Sequence, residues 1–376
     1  MNLYLHLNIG MPTHTTVLNW TKKQGISHFR EPSCYGGEKW VLIADESIQF
    51  GNKKLLLVLA VPEQRCSQGK ALCYQDVTPL VLKVSSSWKS DDIRSAISQH
   101  IDIKNVSYCI SDTGNNLTLA FKLLGCKHIS DINHKFSLII QSVFENNDQL
   151  SDYTKKLSAI RAQKSMSKIA RIVPPNQRIM NRFMNLTPLF AWGKKMLYLM
   201  KMNELTQEEK AVLSFLEPMK EFILETYQIL IYLDNIQNLL KTRGFNKKTA
   251  KEAILMFSDI KTDNSSKIKK QLQEYFADLL SKAKEKTVCC SSDIIESCFG
   301  KFKMIAKGNK SVGISDLSLC IAAMLGHNNL DKTKESMESV SIKQLKEWKI
   351  KNVSKTLFAE KIEMNKIIDR NYFMKM

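Results

Sequence analysis

The segment WVLIADESIQF (residues 40–50), the pair Gly51-Asn52 and the segment KKLLLVLAVP (53–62) decide the class of fold. Two apolar, β-branched runs joined by a Gly-Asn pair predict a β-hairpin. Working outward, ALCYQDVTPLVLKV (71–84) is a third strand candidate, and SDDIRSAISQHI (90–101) is a helix opened by a Ser/Asp cap. NVSYCISD (105–112) is another apolar strand, and NNLTLAFKLLG (115–125) is a helix closed by Gly125. Three strands, a helix, a strand and a helix predict an α/β domain of mixed pairing, with a hairpin or meander first and a crossover afterwards. On the N-terminal side, PTHTTVLNWTKKQG (12–25) reads as one short helix. Thr13 or Thr15 is its N-cap, Val17, Leu18 and Trp20 are its apolar positions, and Gly25 is its stop.

From about Ile132 to Thr287 the pattern is almost wholly helical. Its spine is 207–244, which Pro218 must kink or break. A further helix, SDIIESCFGKFKMIA, covers 292–306, and the tail holds at least two more, around 314–325 and 341–368. No internal repeat or low-complexity tract interrupts the chain. The 376 residues, 44% hydrophobic and 24% charged, have ordinary globular composition, which excludes a disordered or collagen-like chain. No apolar run reaches the roughly 18 residues of a membrane span, and the N-terminus lacks the basic and apolar regions of a signal peptide. Nine cysteines without a C-x-x-C pair fit reduced thiols in a cytoplasm and argue against a zinc module.

The formal charge of +18 is unevenly placed. Residues 1–150 carry a net +2, residues 151–290 a net +11 and residues 301–376 a net +7. Between Asp152 and Glu204 eleven Lys and Arg occur with no acidic residue. Such a surface attracts polyanions, nucleic acid first and acidic membrane second.

Against this basic background three carboxylates stand out. Asp45 lies inside an apolar strand, where a charge is costly unless exposed, paired or bound to a metal. Asp112 ends the next apolar strand after the helix, and strand ends of α/β sheets are where ligand sites are built. If those strands are neighbours, both carboxylates leave the same sheet edge. Glu296, from a helix packed on that sheet, would complete a hard oxygen site suited to Mg²⁺. Structural readings compete for two of them: Asp112 as a turn former before the helix at Asn115, and Glu296 in a capping-box-like spacing after Asp293.

The order strand–Asp45, strand–Asp112, helical insertion, helix–Glu296 resembles the catalytic triad of DDE-type transposases with an RNase H-like core. The motifs S-D-T-G-N-N after Asp112 and D-I-I-E-S-C-F-G-K-F-K around Glu296 carry the resemblance, which runs from about Trp40 to Lys303. The separation of 184 positions from Asp112 to Glu296 departs from the compact retroviral-type spacing. It resembles the hAT-type arrangement, in which a helical insertion precedes the last core helix. Asp131 and His134 are similar to the D-x-x-H pattern of hAT-type enzymes, although an Asp N-cap with a His one turn in reads equally well. Lys303, two turns beyond Glu296 on the same helix face, is placed to touch a phosphate.

The resemblance implies an insertion-sequence transposase of a mobile element, an endonuclease acting in DNA transposition and recombination. Phosphoryl transfer would use two Mg²⁺ ions, with Mn²⁺ as substitute, held by Asp45, Asp112 and Glu296. The implied partners are double-stranded DNA (terminal repeats and target) and a second copy in a homodimer or higher synaptic oligomer, with no membrane. The location would be the cytoplasm, at the nucleoid. Arg171, Arg178, Arg182, Lys194 and Lys195 would be phosphate contacts of the helical insertion. Trp192, beside two lysines in A-W-G-K-K, would either stack on an unpaired base or pack in a core. The helix at 12–25 resembles the recognition half of a helix-turn-helix, with Lys22 and Lys23 able to reach DNA. Only eleven residues precede Pro12, so this front end reads as cut short.

The expected organisation is therefore a helix-turn-helix remnant (1–30), the first part of an RNase H-like core (38–135), a helical insertion (136–290), the last core helix (291–312) and a helical tail (313–376). Two rival readings are a non-catalytic DNA-binding relative, decayed or domesticated, and an RNase H-like nuclease acting on RNA–DNA hybrids.

Overall fold

A computed structural model describes residues 11–29, 32–50, 53–177, 182–257, 260–307, 315–355 and 357–373. The chain divides into two compact units. One comprises residues 1–66, 72–129 and 292–376, and the other comprises 67–71 and 130–291.

The first unit begins with α1 (His14–Ser27), followed by β1 (Trp40–Phe50), β2 (Lys53–Pro62), α2 (Glu63–Ser67), β3 (Thr78–Ser85), α3 (Ser90–Ser98), β4 (Val106–Ser111) and α4 (Asn115–Leu123). With β5 (His128–Ser130), the strands form one mixed sheet in the order β3-β2-β1-β4-β5. β1 and β2 pair antiparallel, as do β2 and β3, whereas β4 runs parallel to β1. The predicted class is thus observed: a hairpin and meander first, then crossovers. The hairpin turn Gly51-Asn52 lies outside the described residues. β5 was absent from the expectation because three residues are too short to show an alternation.

The sheet is central because its strands alternate between two buried faces. Leu42 and Ala44 of β1, Leu56 and Val58 of β2 and Cys109 of β4 form one core with Ile93, Ala96 and Ile97 of α3 and Leu117, Ala120 and Phe121 of α4. Val41 and Ile43, pointing the other way, are equally inaccessible. Hydrophobic runs without a polar alternation are what a sheet covered on both faces requires.

The second unit is helical: α5 (Ile132–Phe144), α6 (Asp148–Lys164), α7 (Thr187–Lys201), α8 (Gln207–Leu213), α9 (Lys220–Arg243), α10 (Lys247–Met256) and α11 (Asp263–Ala283). The long periodic stretch 207–244 is broken between α8 and α9, at Pro218, for want of a backbone N–H. Returning to the first unit, the chain adds α12 (Asp293–Lys307), α13 (Leu319–Ala323), α14 (Leu330–Ser339), α15 (Ile342–Asn352) and α16 (Leu357–Phe373). Among the described residues no helix is long and apolar enough to cross a membrane.

Gly25 corrects one local expectation. It does not stop α1, which continues to Ser27. It is buried instead against α13, where a Cβ would collide with the Leu319 carbonyl oxygen. Thr13 is the N-cap, accepting the Thr16 N–H at 3.2 Å. Since backbone cannot yield as a side-chain tip can, Gly25→Ala should cost about 2 kcal/mol, the usual scale of overpacking, read as a lower urea midpoint.

Candidate active site and basic surface

The register of β1 places Asp45 in the sheet. Asp45 opposes Leu57 on β2, but Ile48 opposes Leu55, so β1 carries one extra residue immediately after Asp45. Bulges of this kind bend a strand and re-aim its side chains, and they concentrate beside functional sites. Asp45 is only 9% exposed and shares its strand face with Val41 and Ile43, opposite the core formed with α3 and α4.

Parallel pairing matches Leu42 with Cys109 and Ile43 with Ile110. Counting two residues further along each strand brings Asp112 level with Asp45, just past the end of β4. Asp112 Oδ1 accepts the Gly114 N–H at 3.0 Å, and Gly114 is the N-cap of α4. The turn-former role is therefore real, and it occupies one carboxylate oxygen.

α12 packs against β1. It buries Ile295, Cys298, Phe299 and Phe302 and leaves Glu296, Ser297, Lys301 and Lys303 exposed. The face of β1 bearing Leu42 and Ala44 is taken by α3 and α4, so the face bearing Asp45 is the one open to α12. Tyr74 fixes this end of α12: its hydroxyl lies 2.6 Å from Ser297 Oγ, and the Lys301 ammonium sits 4.2 Å from its ring centroid. Lys303, seven residues beyond Glu296, projects from the exposed side of the same helix.

The structure adds Glu46, which was not singled out in the sequence. Its carboxyl pKa is raised by burial, with Lys54 and a hydrogen bond from Asn116 opposing the shift and the charge of Asp112 adding to it. Its Oε2 is buried without a hydrogen-bond partner. Glu46 thus shares the electrostatic environment of Asp112. Alternation sends residues 45 and 46 to opposite faces, and the bond from Asn116 sets Glu46 on the side of α4; its link to Asp112 comes from the neighbouring strand, which β1 alone does not show.

In the second unit Asp131 is the N-cap of α5. It is fully buried, and its Oδ1 accepts the N–H groups of Asn133 at 2.9 Å and His134 at 3.0 Å. His134 is half-buried in the first turn of that helix. The capping reading of this pair is therefore realised.

The candidate phosphate contacts are in varied states. Arg171 is committed to Glu209 through two hydrogen bonds of 2.6 and 2.7 Å. The Lys194 ammonium lies 4.5 Å from the centroid of the Tyr227 ring; Lys194 and Lys195 are both exposed residues. Arg178 falls outside the described residues, and only the backbone of Arg182 is described. Trp192 is buried, and its indole N–H donates to the Ile172 carbonyl at 3.2 Å. In the first unit, Lys22 pairs with Asp316 at 2.8 Å and Lys23 donates to the Met337 carbonyl at 2.8 Å. Those two lysines hold α1 to the tail of the chain.

The Arg171–Glu209 pair makes a pH prediction. Arg171 foremost, then the Thr206 backbone N–H, pulls the Glu209 carboxyl from the ordinary 4.5 down to about 2. A depressed carboxyl contributes its stability above the unfolded value and loses it as pH falls through the folded one. The urea midpoint of the parent should exceed that of Glu209→Gln at pH 6, and the gap should close between pH 4.5 and 2. A constant gap across that range would remove the ion pair as its cause.

Neither the models of known protein families nor the sequences of curated proteins match this chain.

Proposed function

We propose that this protein is a DNA transposase of the DDE type, which cleaves DNA strands at element ends and transfers them with the help of divalent metal. One observation carries the reading. Asp45 on the central strand, Asp112 at the end of the adjacent parallel strand and the helix bearing Glu296 belong to one compact unit, with α12 packed on β1. A sheet that starts as a meander and continues by crossovers is what an RNase H-like core needs, and 162 residues (131–292) separate its last strand from α12.

The donor chemistry fits Mg²⁺. All three groups are carboxylates, the hard oxygen ligands this ion prefers, and a buried carboxylate oxygen without a hydrogen-bond partner stands nearby on Glu46. When bound, Mg²⁺ (or Mn²⁺) would lower the pKa of an attacking water or 3′-hydroxyl and neutralise charge on the leaving oxygen. Asp45, Asp112 and Glu296 would hold the ions and orient the scissile phosphate between β1, β4 and α12. Lys303 and Lys301, on the exposed side of α12, would bind the flanking phosphates. The exposed Lys194 and Lys195 would add contacts to the DNA backbone, each neutralised phosphate steepening the salt dependence of binding. The protein would act at the nucleoid, as a homodimer or higher synaptic assembly.

Purified protein incubated with supercoiled or end-bearing DNA tests this directly. Nicking or strand transfer that requires Mg²⁺ or Mn²⁺ and stops with chelator is expected. Tight, salt-sensitive DNA binding without metal-dependent cleavage would replace the proposal with the non-catalytic DNA-binding reading. Cleavage confined to RNA–DNA hybrids, without strand transfer, would make the protein an RNase H-like nuclease.

A further inference from the structure

β4 carries Cys109 three residues before Asp112, and Cys126 lies in the short connection that leads into β5. The strands meet there: the Cys109 N–H donates to the Lys127 carbonyl at 2.8 Å, and the Cys126 N–H donates to the Phe121 carbonyl at 3.0 Å. The backbone is therefore pinned on both sides of Cys126, next to the Lys127 carbonyl that Cys109 binds, and Cys126 packs against the core that holds Cys109, where the two thiols interact. Cys109 is fully buried in the core under α3 and α4, while Cys126 is half-buried at the edge of that core.

We propose that Cys109 and Cys126 are a thiol pair that closes to a reversible disulfide when the protein meets hydrogen peroxide. The two sulfurs have different roles. Cys126 is the attacking thiol, since it reaches solvent and the hydrogen bond from Cys109 lowers its pKa. Cys109 is the resolving thiol, its own pKa pushed up by burial and by its neighbour. Low-pKa, accessible thiols beside a second cysteine are those that oxidise selectively.

The Cys126 thiolate attacks one peroxide oxygen; the S–O bond forms, the O–O bond breaks, and the hydroxide released takes up a proton to become water. Cys109 then gives up its proton and attacks the Cys126 sulfur. The S–S bond forms, the S–O bond breaks, and the departing hydroxide takes that proton as a second water. Two thiols lose two electrons, and one peroxide gains them. The product ties β4 to the entry of β5 just upstream of Asp112.

The intact protein is treated with a small excess of hydrogen peroxide, alkylated, and digested with trypsin. Cleavage after Lys104, Lys122 and Lys127 puts the two cysteines on separate peptides, 105–122 and 123–127. The expected result is one species joining them, lighter than their sum by two hydrogens and removed by dithiothreitol. It should exceed any other cysteine pair at least about tenfold, including pairs made by the exposed Cys34 and Cys73. In Cys109→Ser, Cys126 should instead be trapped as a sulfenic acid by dimedone. The proposal is overturned if Cys126 in the unmodified sequence remains fully alkylated after peroxide, or if it links to another cysteine. The parent-protein measurement stands even where a variant fails to fold.

Discussion

Asp45→Asn should cut Mg²⁺-dependent DNA cleavage about a thousandfold, because a metal-held charge in a phosphoryl-transfer site stabilises the transition state by several kcal/mol, here taken as about 4. The substitution keeps the shape of the side chain and removes only its charge. The fold should survive it, since Asp45 is 9% exposed on a strand whose neighbours are apolar, and a neutral amide is less costly there than a carboxylate. The urea midpoint should stay level or rise, and DNA affinity measured in EDTA should change less than twofold. Asp112→Asn and Glu296→Gln should give losses of the same order. Glu46→Gln is the informative control. Glu46 lies in the field of Asp112 and takes a hydrogen bond from Asn116 at the start of α4, so it is the other carboxylate near that end of β4. Should Asp45→Asn cleave at the parent rate while Glu46→Gln loses it, Glu46 is the ligand and the assignment moves by one residue. Parent rates in all four variants would sink the triad.

The contrast between these neighbours marks what the sequence made legible. The β1–β2 hairpin and β4 were readable because unbroken runs such as KKLLLVLAVP have few alternatives to a sheet covered on both faces. Asp45 and Asp112 were noticed for the same reason: a charge in, or ending, an apolar strand violates the local pattern. Glu46 violated nothing, because next to Ser47 it looked like the ordinary decline of a strand toward its turn. Its tie to Asp112 and Asn116 arises from the pairing of β1 with β4, which leaves no mark in β1 alone. Gly25 shows the reverse error. A glycine after lysines reads as a helix stop, yet here it serves a close approach to Leu319, a contact almost three hundred residues away in the chain. The basic residues were countable but their partners were not: Lys22, Lys23 and Arg171 each meet an acceptor that only tertiary structure supplies.

Trp192→Ala should destabilise the protein by about 4 kcal/mol, the scale of deleting a large aromatic from a core. The sequence left this residue between two roles, base stacking and packing, since A-W-G-K-K places it beside lysines. In the structure Trp192 faces inward from α7, is 8% exposed, and spends its indole N–H on the Ile172 carbonyl. A ring so enclosed has no face to offer a nucleobase, whereas its neighbours Lys194 and Lys195 are exposed. Removal of the ring empties the space between α7 and the Ile172 turn and leaves a buried carbonyl without its donor. Trp192→Phe separates the two losses: most of the volume returns while the carbonyl stays unpaired, so the expected cost falls to about 1–2 kcal/mol. Lys195→Ala is the complementary probe, expected to leave the urea midpoint within about 0.5 kcal/mol of the parent and to lower the slope of log affinity against log salt by about one unit. The opposite pattern, with Trp192→Ala stable to within 1 kcal/mol and weakened tenfold toward DNA carrying unpaired bases, would return Trp192 to the stacking role.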